Sequence, residues 1–277
     1  MEIIFFYLPH ILIGAFLSIV LGLYGSHLVA REKTLEIVFV GQTIQIGILM
    51  GVLISNLLFD SHDDHGFHIE MLSSGIFTVI FYLIYERVTK SKKFTKTPFL
   101  VLLYTSLIAF SYLIIAASPL IESHMVKSFL GDIVTASSLE LKFISLMALF
   151  SLFYYVKNKQ EILSTTFDIA LFGHQITNKV SKIPYFNIIV LLLMVYSIHV
   201  LGIVFTLTMM ILPVTIIQFS NSRLNSLELF IYLISPISVI TGFCLNIKFE
   251  QFPTSSLITL SLCVISLLFI AFRKLRG

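Results

Sequence analysis

The chain has few charges and lacks the polar surface of a soluble domain. Of its 277 residues 12% are charged and 57% are hydrophobic, and the mean hydropathy is +0.97. This composition leaves too little polar surface for a soluble domain of any size. Tryptophan is absent, and the only two cysteines, Cys244 and Cys263, lie inside apolar runs, which argues against a disulfide framework.

The apolar runs also lack the residues that drive transport or catalysis. Their cores contain no Asp, Glu, Lys or Arg, whereas carriers driven by an ion gradient commonly place ionisable groups at mid-membrane. The chain has neither a GxxxxGK[ST] phosphate loop nor an HExxH motif. These absences predict a protein that is not itself an enzyme and that takes its energy from a partner.

Long apolar runs dominate what is present, and several approach the roughly 20 residues that span a bilayer core. They predict an all-α, polytopic integral membrane protein with about nine transmembrane segments, within a range of eight to ten. The runs cover residues 7–29, 37–58, 72–85, 97–118, 143–156, 184–200, 202–219, 229–246 and 254–272.

The positive charges predict the orientation of these segments. All 18 Lys and Arg residues except Lys127, Lys142 and Lys248 fall in alternate gaps between the runs. By the positive-inside rule those gaps are cytoplasmic, so the N-terminus lies outside and the C-terminus inside. Residues 1–277 then form one transmembrane domain, with outward loops at 60–71, 119–142 and 247–253 and a large cytoplasmic loop at 157–183.

The first outward loop is rich in metal-ligating residue types. Within residues 60–71 it holds three histidines and several acids and has no basic residue. Imidazole and carboxylate groups suit zinc or a related divalent ion, although a solvated polar connector would also be charged. The candidate metal ligands are His62, Asp63, Asp64, His65 and His68.

Polar residues inside the runs are candidates for a substrate path. Gln42 and Gln45 are three residues apart on the second segment and so lie near one face; the alternative is that they hydrogen-bond neighbouring helices. His199 could contact a passing ion or could be a packed histidine. Thr206 and Thr208 could line a polar path, or their hydroxyls could return to their own backbone.

Three stretches resemble zinc/manganese-type ABC importer permeases. The run Val200–Thr215, which contains Gly202 and Pro213, is similar to the late helix VxGxLLxxALLIxPA of that family. Residues 129–134 (FLGDIV), followed by residues 138–141 (SLEL), resemble its external FGDLL…xDL stretch, and Gly25-Ser26 with Arg31 resembles the GSxxxxRR end of its first helix. The order and spacing of the three agree with the family over nearly the whole chain.

The resemblance implies partners and a coupling site. Such a permease is a homodimer that binds cytoplasmic ABC ATPase subunits and an extracytoplasmic solute-binding protein, and it would lie as a multi-pass protein in a bacterial cell (inner) membrane. The cytoplasmic loop around Asp168, Gly173 and His174 would be the helix that docks into the ATPase. The chain departs from the family at its GDxxxHxxxxG motif. Aligning the glycines puts Gln42 at the Asp position and Ile46 at the His position, whereas aligning Arg31 without a gap puts Gln42 at the His position, and neither alignment restores the pair.

Together these features predict the membrane permease subunit of an ATP-driven importer, with a divalent metal ion such as zinc or manganese as cargo. No covalently bound cofactor and no nucleic-acid partner is expected. Two alternatives stay open: a secondary metal-ion carrier, and a membrane scaffold or sensor that transports nothing.

Overall fold

The computed structural model describes residues 2–58, 65–90, 96–117, 129, 131, 133–172, 183–219, 224–249 and 251–276. In these ranges the regular structure is helical. The α-helices are α1 (Glu2–Ala30), α2 (Thr34–Leu58), α3 (His65–Lys90), α4 (Lys96–Ala117), α5 (Ser138–Phe172), α6 (Ile183–Phe219), α7 (Leu224–Lys248) and α8 (Thr254–Arg276), and a short 3-10 helix, Ile133–Thr135, precedes α5.

Each of the eight α-helices contains a stretch that is long and apolar enough to cross a membrane. A helix is the form such a run takes, because hydrocarbon offers no hydrogen-bond partners and the helix satisfies its own backbone groups. The predicted all-α, multi-pass membrane fold is thereby confirmed.

Helix α6 is broken at Gly202 and folds back on itself. Gly202 has φ 81° and ψ 163°, a conformation that favours glycine because it lacks a Cβ. The hydroxyl oxygens of Ser197 and Thr206 lie 2.7 Å apart, whereas nine residues of straight helix would separate them by about 13 Å along the axis. The segment is therefore a helical hairpin with its tip at Gly202.

Contacts with α1 confirm this reversal. Tyr24 packs against the ring of Phe186 at 5.2 Å, and its neighbour Gly25 packs against the backbone of Met210. In a straight helix residues 186 and 210 would lie about 36 Å apart. Counting the two arms of α6 separately turns the eight candidate spans into nine, in agreement with the predicted division between residues 200 and 202.

The predicted limits of two segments were too narrow. The apolar runs at 72–85 and 143–156 are short, but the helices that contain them extend over His65–Lys90 and Ser138–Phe172. Charged and polar residues at the ends of a run stop the hydropathy signal without breaking the helix, because helical propensity does not require apolar side chains. Part of the predicted outward loops, residues 65–71 and 138–142, is therefore helical.

Helix α5 has two parts that meet at a kink. Asn158 has non-helical dihedral angles (φ −113°, ψ 15°), and its side-chain amide donates to the carbonyl of Tyr154 at 2.9 Å. The part before the kink carries the apolar run, and the part after it, residues 159–172, lies in the loop predicted to be cytoplasmic. The first part of that loop is thus helical, as a continuation of α5.

The centre of the bundle is formed by α1, α2 and α6. In the spanning windows of these helices 67%, 72% and 72% of residues are buried, against 22% in α3 and α4. Glycine permits the closest contact, since a Cβ added at Gly25 would overlap the backbone of Met210 in the second arm of α6. Small residues permit such close approach between membrane helices.

The segment before α5 packs into the bundle at the tip of α6. Gly131 has φ 59° and lies against the backbone of Leu201 and Gly202, and its carbonyl accepts from the hydroxyl of Ser255 at 2.9 Å. Ile133 is fully buried beside Gly14 of α1. The end of the bundle that holds this tip and the starts of α3 and α5 is called the outer end below, after its predicted orientation.

Candidate functional site

An imidazole and two carboxylates meet at the outer end of the bundle. His199 ends the first arm of α6, Glu70 lies in the second turn of α3 and Glu140 in the first turn of α5. Nδ1 of His199 is 3.7 Å from Oε2 of Glu70, and Nε2 is 4.0 Å from Oε1 of Glu140. The three side chains are 6%, 15% and 14% exposed, so this outer cluster is largely shielded from solvent.

One of the carboxylates, Glu140, also caps the start of a helix. The backbone N–H of Ser137 donates to Oε2 of Glu140 at 2.6 Å, and the N–H of Glu140 donates to the hydroxyl of Ser137 at 3.2 Å. This reciprocal pair is a capping box, which fixes the start of α5. The cap holds the carboxyl group in place and leaves its other oxygen directed towards His199.

The geometry of the outer cluster suits transient binding of a cation better than a permanent metal site. The separations of 3.7 and 4.0 Å exceed hydrogen-bond lengths, so the groups are not closed onto one another. The ring nitrogens face different carboxylates, and among the side chains that the structure describes no three His, Cys, Asp or Glu residues are arranged to hold a metal ion. With a neutral imidazole the cluster carries two negative charges.

The predicted metal ligands of the first outward loop lie at or before the start of α3. His62, Asp63 and Asp64 lie outside the described residues. His65 and His68 belong to the first turn of α3, and their side chains are not described. A metal-collecting role for these five residues stays a prediction, although α3 leads from them directly to Glu70.

The two glutamines of α2 have different surroundings. Gln42 donates from Nε2 to the hydroxyl of Ser111 in α4 at 3.2 Å, which is the interhelical bond that the alternative interpretation predicts. Three residues advance a helix by about 300°, or 60° short of a full turn, so Gln45 lies about 60° around α2 from Gln42. Gln42 therefore links two helices of the bundle.

Gln45 is a buried amide without a hydrogen bond. Its side chain is 1% exposed, and neither Oε1 nor Nε2 has a partner in the described part of the protein. Gly41, one turn earlier on the same face, packs against Ile203 and Leu207 in the second arm of α6. Gln45 thus places an unsatisfied polar group on the side of α2 that faces the hairpin.

The predicted threonines contribute to the hairpin itself. Thr206 donates to the carbonyl of Gly202 at 2.9 Å, as a buried helical threonine commonly does. Its oxygen also lies 2.7 Å from the hydroxyl of Ser197, so the pair joins the two arms below the tip. Thr208 is half-buried in the second arm.

Comparison with known families assigns the chain to one of them. A family model described as the ABC 3 transport family matches residues 4–273, which is nearly the entire chain.

The chain belongs to the ABC 3 transport family. None of the curated proteins matches it. Among solved structures it is similar to PsaBC from Streptococcus pneumoniae, in a complex with Fab, with a TM-score of 0.72 and 17% sequence identity over 95% of this chain and 90% of that one. At that identity the likeness shows the fold.

Membership of the ABC 3 family confirms the resemblance that the three sequence stretches carry. The chain is a multi-pass membrane permease of an ABC transporter. Two of these stretches contact each other in the structure. Gly202, in the first, forms the tip of the α6 hairpin, and Gly131, in the second, packs directly against it.

The predicted docking residues of this ABC 3 permease lie at or beyond the end of α5. Asp168 is exposed on the part of α5 that follows the kink. Phe167 beside it is 40% exposed. Gly173 and His174 lie outside the described residues.

The predicted site residues did not include the two carboxylates that flank His199. Glu70 ends the acidic loop, and Glu140 follows a serine by three residues, the spacing of a capping box. Each signal concerns its own helix, and only the packing of α3, α5 and α6 brings both beside His199.

Proposed function

We propose that the chain is the permease subunit of an ABC importer for a divalent metal ion, zinc or manganese. The observation that carries the cargo assignment is the outer cluster of His199, Glu70 and Glu140. Imidazole and carboxylate are the donors that these ions accept in proteins. The cargo is a substrate that passes through, and it is not a resident cofactor.

The electrostatics of the cluster support a cation. The carboxylates are largely shielded from water, where an ionic interaction is stronger than in bulk solvent. A transport site must bind the ion well enough to admit it and weakly enough to release it. An open cluster that lacks a closed set of three ligands satisfies the second condition. The unsatisfied amide of Gln45 supplies a polar group deeper in the bundle.

The cytoplasmic end supports an external energy source. The chain carries no phosphate loop, and the end of α5 presents the exposed pair Phe167 and Asp168. An exposed aromatic side chain beside a carboxylate suits a protein contact, because aromatic residues are enriched at interfaces. We assign this surface to a separate cytoplasmic ATPase subunit that hydrolyses the ATP.

The rest of the assembly follows from the same assignment. The permease works as a homodimer in a bacterial cell (inner) membrane, with its C-terminus in the cytoplasm. A solute-binding protein delivers the ion to the outer end, and the five residues of the first outward loop, His62, Asp63, Asp64, His65 and His68, concentrate cations there.

One observation favours a second candidate. The outer cluster contains ionisable groups within the packed bundle, and these could exchange protons for a metal ion in a secondary carrier. The two candidates differ in their energy source. Uptake by the permease alone along a proton gradient supports the carrier, and uptake that requires the ATPase and ATP supports the importer.

The decisive experiment uses vesicles that contain the permease with or without its ATPase, supplied with the solute-binding protein and with zinc or manganese ions. The importer predicts ATP-dependent uptake of at least one of the two metals. Glu70→Gln and Glu140→Gln should each lower uptake at least about tenfold, because a unit charge at about 4 Å interacts by roughly 4 kcal/mol at an effective dielectric constant of about 20.

Two features make the effects of these variants interpretable as effects of charge. Glutamine at position 140 keeps an oxygen for the capping box and removes only the charge. Glu32, an exposed carboxylate in the turn between α1 and α2, provides the control, since Glu32→Gln should leave uptake unchanged. Absence of ATP-dependent uptake of both metals by the complete wild-type assembly would contradict the proposed function.

A further inference from the structure

The end of α5 is amphipathic, and its inner face is buried against α1. Ile162, Thr165, Thr166 and Ile169 are buried at the spacing of one helix face. Asp168, on the opposite face, is exposed. A displacement of the exposed face therefore moves these four side chains against the bundle.

In the described part of the chain, the hydroxyl of Thr166 forms polar contacts with His27 of α1 and with Arg31 just after that helix. It accepts from Nε of Arg31 at 3.2 Å and from Nη2 at 3.0 Å. It lies 3.0 Å from Nδ1 of His27 and donates to the carbonyl of Ile162 at 2.7 Å. Thr166 is 5% exposed, so water does not compete for these bonds.

His27, in the last turn of α1, and Arg31, directly after that helix, are held from other sides as well. The guanidinium of Arg31 lies 4.7 Å from the centre of the Phe186 ring at the start of α6. Nε2 of His27 is 3.2 Å from the hydroxyl of Tyr155, which belongs to α5 before its kink. Thr166 thus joins the far part of α5 to a cluster that includes α1, α6 and the near part of α5.

Arg31 makes this contact sensitive to a single hydroxyl. It is 7% exposed, and in the described part of the chain its side chain is held by Thr166 and by the Phe186 ring, with no carboxylate within ion-pair distance. A buried charge is costly unless its donors are satisfied. Loss of the Thr166 oxygen leaves the guanidinium without an acceptor and favours a separation of the two helices.

A second link nearby is weaker. Lys159 forms an ion pair with Glu228 of α7 at 2.6 Å, but the two side chains are 43% and 28% exposed. Exposed ion pairs contribute on the order of 0–1 kcal/mol because solvent screens them. The buried contact at Thr166 is therefore the stronger connection between the segment and the bundle.

We propose that Thr166 is a positioning residue that couples movement of the ATPase-docking segment to α1. The inference rests on the proposed function, since it takes the exposed face of the segment as the ATPase contact. Phe167 and Asp168 meet the ATPase, and Thr166 transfers the resulting displacement to Arg31 and His27. Because α1 packs directly on the second arm of α6 at Gly25, the displacement reaches the hairpin that ends at the outer cluster.

The adjacent threonine provides a matched control. Thr165 is also buried, at 6% exposure, and its hydroxyl donates to the carbonyl of Glu161 within its own helix. It forms no described bond to another helix. Thr165→Val and Thr166→Val therefore remove the same atom from the same helix, and only the second removes a contact with α1.

The test compares the number of ions transported per ATP hydrolysed in vesicles that contain the permease, its ATPase and the solute-binding protein, with zinc and manganese ions as separate probes. Thr166→Val should still co-purify with the ATPase and hydrolyse ATP, but the transport ratio should fall about tenfold to a hundredfold, as expected for loss of a hydrogen bond to a charged group. Thr166→Ser should restore the ratio to within about twofold, and Thr165→Val should equal the wild type.

Each outcome bears on the inference. A normal transport ratio in Thr166→Val overturns it, and so does a Thr165→Val variant that loses coupling to the same extent. If Thr166→Val cannot be purified, Arg31→Met gives the second test, because an apolar residue of similar length can replace a buried charge; this variant should show the same uncoupled hydrolysis, and normal coupling in it overturns the inference. Failure of the wild-type assembly to transport either ion contradicts the proposed function instead, so the two failures are distinguishable.

Discussion

Replacement of Gln45 by leucine should make the permease more stable and less active. The amide of Gln45 is 1% exposed and both of its polar atoms lack a partner among the described residues. A buried polar group in that state costs about 1–3 kcal/mol. Leucine has a similar volume and removes the cost, so the free energy of unfolding should rise. Transport should fall, because the polar group is lost from the face of α2 that meets the hairpin.

The size of the effect makes it measurable. About 1 kcal/mol corresponds to roughly 2–4 °C in the melting temperature for chains of about 150–250 residues, so Gln45→Leu should melt at least about 2 °C above the wild type. The measurement is thermal unfolding of the purified permease in detergent, combined with uptake of zinc and manganese ions in vesicles that hold the complete assembly.

Gln42→Leu is the matched control on the same helix. It breaks the bond to Ser111 and should lower stability by about 0.6–1 kcal/mol, the usual contribution of a hydrogen bond between membrane helices. Once assembled it should transport normally. The reasoning is refuted if Gln45→Leu melts below the wild type, or if it is more stable and transports at the wild-type rate.

Three further predictions concern packing and charge. Gly25→Val should lower the free energy of unfolding by at least about 1–3 kcal/mol, because the new side chain overlaps the backbone of Met210; Gly75→Ala, in open space on α3, should change it by less than about 1 kcal/mol, and similar melting temperatures for the two variants would refute this account of the α1–α6 contact. Uptake by Glu70→Gln should depend less on ionic strength than wild-type uptake, since charge attraction is screened by salt; equal salt dependence contradicts an electrostatic role. Phe167→Ser should reduce co-purification of the ATPase subunit without changing the melting temperature of the permease, because the side chain is already exposed, and unaltered co-purification would exclude this residue from the docking surface.

The sequence predicted which segments form helices better than where they end. The apolar runs 184–200 and 202–219 predicted two membrane segments, and the structure has the break between them at Gly202. The ends of α3 and α5 were missed because polar residues such as Lys157 and Glu161 continue a helix without adding to its hydropathy. Hydropathy indicates which residues lie in the membrane, whereas the helix boundary depends on capping and helical propensity.

The candidate site was predictable only in part, because its residues come together through packing. His199 was a candidate from its position alone, but its partners Glu70 and Glu140 lie 129 and 59 residues away in the chain. The two glutamines of α2 were predicted as a pair, yet Gln42 bonds to Ser111 and Gln45 does not. Two residues three apart differ in direction by about 60° around the helix axis. Their side chains can therefore meet different neighbouring helices.

The hairpin at Gly202 has a consequence for how the protein enters the membrane. Both ends of α6 lie at the same end of the bundle, and the basic residues beyond them, Lys182 and Arg223, belong to gaps that the positive-inside rule assigns to the cytoplasm. The only part that must reach the far side is a tip without a charged loop, in which His199 is the one titratable residue. The two arms can therefore be inserted together as a preformed pair, and a premature stop between them would leave a single arm without the neighbour that its serine and threonine require.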